Sequence, residues 1–206
     1  GNDQNYIIVP VSADRGLCGG FNSSINRETF KLVKSLEGDG KKVQLMPVGK
    51  KSRDFFNRVM KDQILESFVD LNVSSTGYES ALNISNKLQE LYFDGKFDKC
   101  ILVFNKFKSA ISQEVTQQQL IPLDVSNSEK DEEKENASNA IYDYEPDEET
   151  ILQDLLPKNV SIQIFKVLLE SDAGEQGARM AAMDNATRNA GEMIDSLTLK
   201  YNRTRQ

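Results

Sequence analysis

The chain contains no histidine. That excludes the Ser-His-Asp and Cys-His forms of nucleophilic catalysis and removes the commonest metal ligand. Only two cysteines occur in 206 residues, Cys18 and Cys100. A disulfide framework does not fit so few, and a reducing compartment is expected. Cys100 opens an apolar run and reads as a small buried hydrophobe. Cys18 has no imidazole to activate it, so a nucleophilic role is not expected. No apolar run approaches the roughly 20 residues of a membrane helix. The start, Gly1 to Asn5, has no basic region or cleavage site of a signal peptide, and Gly1 reads as a cloning scar.

What is present is sufficient for one α/β domain with a core, plus an appendage. The net charge of −7 is local: residues 124–149 carry eleven Asp or Glu and two Lys, leaving the rest at +2. The polar run 126–140 within it reads as a disordered insertion. It has no EF-hand spacing. The basic stretch from Lys41 to Lys61 lacks interleaved aromatics, so a solvated face is favoured over nucleic-acid binding.

Tyr6 to Ala13 reads as a buried strand, followed by a glycine turn and a helix capped by Asn22 or Ser23 through about Leu36. Val43 to Val48 is a second strand and Lys50 to Met60 a short amphipathic helix. A strand is expected within Ile64 to Val73, then a helix from about Gly77 to Phe93 capped by Ser75 or Thr76. Cys100 to Phe107 is a third buried strand, and Ile111 to Val125 is extended. Glu148 to Leu156 reads as a short helix stopped by Pro157. Ser161 to Leu169 is either a strand or the first turns of a final helix. Strands alternating with helices predict an α/β fold with a mostly parallel sheet.

The Gly16-x-x-Gly19-Gly20 turn lies where a phosphate loop would, after a strand and before a helix. Its spacing matches neither dinucleotide nor P-loop patterns, and no lysine follows. A tight turn or a protein-docking loop is the better reading. A nucleotide- or anion-binding α/β enzyme with a C-terminal dimerisation helix stands as the alternative.

The last forty residues are the most informative. Met183, Ala186, Ala190, Met193 and Leu197 recur at spacings of 3, 4, 3 and 4, a heptad seam on one helix from about Leu169 to Gln206. Half of a coiled coil implies a partner, and hence a shaft-like assembly. The bland alternative, an amphipathic helix lying on its own sheet, accounts poorly for such length.

Three runs carry a resemblance: SADRGLCGGFN near the start, YEPDEETILQDLLP in the middle and ESDAGEQGARMAAMDNATRNAGEMIDSLTLKYNRTRQ at the end. Together they resemble the gamma chain of the F-type rotary ATP synthase across the whole sequence. The resemblance implies a Rossmann-like domain over residues 1–165 and half of an antiparallel coiled coil over 166–206. It also implies that an N-terminal helix and a C-terminal end are missing. The implied role is a non-catalytic rotor in the central stalk, coupling rotation of a membrane ring to ATP synthesis on beta subunits, with no cofactor.

Implied partners are the alpha and beta subunits of the catalytic hexamer, the epsilon subunit (delta and epsilon in an organelle), the c-ring, and the chain's own N-terminal helix. Arg15, Gly16, Cys18, Gly19 and Gly20 match the loop near the beta subunits. Tyr142, Tyr144 and Glu145 match the stretch that abuts the ring. Arg179, Met183, Arg205 and Gln206 match partner-binding positions of the C-terminal helix. The location implied is the cytoplasmic face of a bacterial inner membrane, or the matrix side of the mitochondrial one. The acidic run 128–139 is not a family motif.

Overall fold

The computed structural model describes residues 3–109, 112–122 and 148–205, with side chains of 148–154 left aside. Four strands form one sheet in the order β2-β1-β3-β4. β1 (Asn5–Pro10) pairs in parallel with β2 (Lys42–Leu45) and with β3 (Lys99–Ser109). β4 (Ser112–Ile121) returns antiparallel against β3. The sheet is therefore mostly parallel, as the alternation of strands and helices predicts.

Period-two alternation divides the core. Tyr6 and Ile8 of β1 and Val103 of β3 face one side. There they meet α1 (Phe21–Gly38) and α2 (Lys50–Val59) through Ile25, Val33 and Phe56. Ile7, Val9, Leu102 and Phe104 face the other side. α3 (Val73–Phe93) and α4 (Glu148–Arg205) cover them with Ala81, Ile84, Leu88, Val160, Ile164 and Val167. Continuous apolar strands are what two covered faces require.

Several expectations are corrected. No strand forms between Ile64 and Val73; a 3₁₀ turn (Lys61–Gln63) leads to isolated parallel bridges, Leu45 with Ile64 and Val48 with Phe68. Pro47, two positions along from Leu45, has no N–H to give a ladder there. Neither Asn22 nor Ser23 caps α1: its N-cap is Gly20, without a side-chain bond. A turn from Val73 precedes the expected caps, but α3 breaks its helical geometry at Thr76 (φ −129°, ψ 21°), and its main body runs from Gly77, where the helix is expected to begin. Thr76 Oγ1 donates to the Asn72 carbonyl rather than capping the helix.

The largest correction is at Pro157. The helix does not stop there but runs unbroken from Glu148 to Arg205, about 87 Å at 1.5 Å per residue. An interior proline removes one helical hydrogen bond and costs about 3 kcal/mol. Val160, Ile164, Val167 and Leu168 are buried just beyond it, and at about 1.5–3 kcal/mol per fully buried aliphatic side chain they outweigh that cost. Ser161 to Leu169 is therefore helix, not strand.

Candidate functional site

Two features stand out: the loop between β1 and α1, and the surface of α4. In the loop, Leu17 and Gly19 adopt positive φ (61° and 56°). Gly19 has no Cβ to clash there, while Leu17, 79% exposed, takes the same left-handed conformation against the preference of a side-chain-bearing residue. Asn22 organises the turn. Its Oδ1 accepts from the Ala13 N–H (2.9 Å), and its Nδ2 donates to the Arg15 carbonyl (3.2 Å) and to Cys18 Sγ (3.1 Å). Cys18 is buried beneath. Burial and the nearby Glu175 carboxylate push its thiol up, more than Arg179 and the Asn22 contact pull it down. The loop is thus a fixed, protein-filled turn.

The neighbouring helix N-terminus offers no anion site. The first N–H groups of α2 are taken by the protein: Lys50 donates to Asp14 Oδ1 (2.8 Å), Lys51 to the Ala13 carbonyl (3.1 Å) and Ser52 to Ser12 Oγ (2.9 Å). A carboxylate already occupies the N-terminus of α2. Gly49 enters this crossing at φ +93°, where a Cβ would lie 2.2 Å from the Ser12 carbonyl oxygen. The cleft at the carboxyl ends of β1 and β2 measures about 50 Å³, below the roughly 300 Å³ of small-molecule sites, whereas the open groove between the glycine loop and α4, lined by Cys18, Gly19, Gly20 and Ala178, measures about 340 Å³. The occupied N–H groups of α2 and the narrow cleft beside them weigh against a nucleotide at the ends of β1 and β2.

α4 behaves differently along its length. Residues through Ala178 pack on the sheet or the glycine loop, and Gly174 passes close to Phe21 and Gln113. From Met183 to Arg205 every residue is exposed. That projecting portion, on the order of 35 Å long, carries the seam of Met183, Ala186, Ala190, Met193 and Leu197. Ile194 and Tyr201, both exposed, widen the same stripe, and Leu199 alone sits opposite.

The stripe is longer than its predicted extent. Leu155, Ile162, Leu169, Gln176, Met183, Ala190 and Leu197 follow one another at strict intervals of seven. Their large apolar members are 45–58% exposed. A helix expected to begin only at about Leu169 leaves the first two, Leu155 and Ile162, outside it. A strict seven-residue repeat drifts by about 20° per heptad around a straight helix. The stripe therefore starts on the outer side of α4, away from the sheet, and winds around the projecting part.

The predicted site residues fall into separate groups. Arg15, Gly16, Cys18, Gly19 and Gly20 share the loop, and Arg179 comes beside it through its ion pair with Glu175. Met183 and Arg205 lie on the projecting part. Tyr142, Tyr144, Glu145 and Gln206 lie outside the described residues, as does the acidic run 126–140. Among the described residues, no helix is long and apolar enough to cross a membrane.

A family model described as ATP synthase matches residues 1–206. The chain is 52% identical to the ATP synthase gamma chain of Rhodospirillum rubrum over 209 residues, covering all of this chain and 70% of that protein. The gamma chain of Rhizobium johnstonii is 49% identical, with 69% of it covered. Among solved structures, the central stalk and c-ring of the Tetrahymena thermophila mitochondrial ATP synthase contains a similar chain. It has a TM-score of 0.67 and 30% identity, over 89% of this chain and 77% of that one. The Euglena gracilis mitochondrial ATP synthase rotor shares the fold at a TM-score of 0.66 and 19% identity, over 98% of this chain and 73% of that one. A fixed turn in place of a phosphate loop, a long projecting helix and these likenesses agree: the chain belongs to the ATP synthase gamma chain family, the non-catalytic central-stalk rotor subunit.

Proposed function

We propose that the rotor is held by three surfaces. The first is the heptad stripe of α4, which pairs with a second long helix from the part of the gamma chain outside these 206 residues. The Rhodospirillum relative is longer by more than a third of this chain's length, enough for a helix spanning Leu155 to Leu197. The exposed stripe is the observation that carries this reading. Leaving it in water would forfeit about 25 cal/mol for each Å² of apolar surface that a partner helix could cover.

The second surface faces the catalytic hexamer of alpha and beta subunits. It comprises the loop from Arg15 to Gly20 and the projecting helix with Arg179, Met183, Arg205 and Gln206. Arg203 and Arg205 are exposed on the projecting helix and suit carboxylates on an enclosing partner. The third surface, with Tyr142, Tyr144 and Glu145, meets the c-ring, and the epsilon subunit binds the same foot. The body 1–165 then acts as the foot and 166–206 as the shaft, although α4 crosses that boundary without a break. The rotor works at the cytoplasmic face of a bacterial inner membrane, in keeping with its bacterial relatives.

Reconstitution tests this. The full-length gamma chain is mixed with alpha and beta subunits, and assembly and ATP hydrolysis are compared with a mixture lacking it. A hexamer-bound chain with raised hydrolysis is the expected result. A chain that stays free would overturn the reading.

A further inference from the structure

The seven-residue column of α4 from Leu155 to Leu197 contains one long polar residue, Gln176, between Leu169 and Met183, and Arg179 lies seven residues before Ala186 in the companion column. Gln176 lies where α4 leaves the α/β body: Gly177 is buried, Ala178 half-buried, and everything from Met183 on is exposed. Gln176 is not an isolated surface amide. Its Oε1 accepts from Arg179 Nη1 at 3.0 Å. Arg179 in turn forms an ion pair with Glu175, and both of those side chains are less than a fifth exposed. Glu175 and Arg179 also act electrostatically on Cys18 beneath the glycine loop. A chain of polar contacts thus ties this one layer of the stripe to the body. The amide Nε2 has no partner among the described residues.

A single polar residue at an otherwise apolar seam position costs stability and fixes register, because sliding buries it against apolar neighbours. We infer that Gln176, anchored through Arg179 and Glu175, is the register-setting layer of the helix pair, and that the facing residue of the covering helix supplies a carbonyl or carboxylate acceptor. The inference rests on the proposed helix pair. Its physical role follows from its position. From Met183 on the pair has no body behind it, so a lock just before that exit keeps the two helices from sliding past one another under torque.

The test uses the full-length gamma chain, spin-labelled at position 200 through Lys200→Cys and at the neighbouring position of the covering helix. Electron-electron distances are measured for wild type, Gln176→Asn and Gln176→Leu, alongside their melting temperatures. The expected result is one short distance for wild type and Gln176→Asn. Gln176→Leu should melt higher yet show a second population displaced by about 10 Å, one heptad of helical rise. A single unshifted distance in Gln176→Leu would sink the register role while leaving the helix pair intact. No short distance even in wild type would remove the pair itself, and the inference with it.

Discussion

At the residue scale, Asn22 and Asp3 make the sharpest claims. Asn22 satisfies one backbone N–H and one carbonyl and touches the buried thiol. Asn22→Ala leaves the Ala13 N–H without its acceptor, which costs about 1–3 kcal/mol. Urea unfolding should register that loss, and maleimide labelling of Cys18 should accelerate in the same variant. In the wild type the raised pKa keeps the Cys18 thiol protonated at neutral pH, so labelling should begin only above the usual thiol range. Asp3 accepts from Tyr6 Oη and pairs with Lys99 (3.2 Å) and Lys41 (3.4 Å), which hold its carboxyl at about 2, against 3.8 in an unstructured chain. A depressed carboxylate stabilises above its unfolded value, and the contribution disappears as pH falls through the folded one. The melting-temperature gap between wild type and Asp3→Asn should therefore be full above about pH 4 and vanish near pH 2. A gap that persists at pH 2 would show that Asp3 acts through something other than its charge.

At the element scale, two backbone positions decide how helices sit. Gly49 brings α2 against the end of β1, and its Cβ would overlap the Ser12 carbonyl oxygen at a φ that side chains avoid. Gly49→Ala should cost at least about 3 kcal/mol, because α2 must back away and the hydrogen bonds from Ser52 to Ser12 and from Lys50 to Asp14 break together. Chemical denaturation measures it directly. Pro157 works in the opposite direction. It lies in helix interior, so Pro157→Ala restores a helical N–H and should stabilise by up to about 3 kcal/mol. Unchanged or lower stability would mean that the proline ring fits a local bend better than a regular helix would. Both cases show why isolated propensity misleads: a proline reads as a stop only until the packing beyond it is known.

At the scale of the molecule, the protein divides by exposure, not by secondary structure. One helix begins as a core element and ends as a shaft surrounded by solvent. Leu197→Asp changes an exposed residue that touches nothing in the body, so the α/β fold should lose no more than about 0.5 kcal/mol. In the full-length chain the same change places a carboxylate in the seam. Assembly with alpha and beta subunits should then fall, with the melting of the body unchanged. Unimpaired assembly of Leu197→Asp would argue that the projecting stripe carries no helix partner.

Much of this was legible in the chain. The absence of histidine, the faulty phosphate spacing and the heptad run at Met183 to Leu197 already pointed to a piece of a shaft-like assembly, and the resemblance carried by the three motif runs implied a rotor. The helices over residues 21–38 and 50–59 and the strand at Cys100 followed from apolar periodicity. Those are local properties, set by which residues lie three, four or two positions apart. Tertiary structure alone decided the order β2-β1-β3-β4, the failure of Ile64 to Val73 to become a strand, and the passage of α4 through Pro157. It also extended the seam back to Leu155 and tied Gln176 through Arg179 to the glycine loop. Each depends on which distant groups meet: Ser12 with Ser52, Gly49 with the Ser12 carbonyl, Val160 and Ile164 with the sheet. Local pattern fixes how an element can form; only packing fixes which of its faces is left in water.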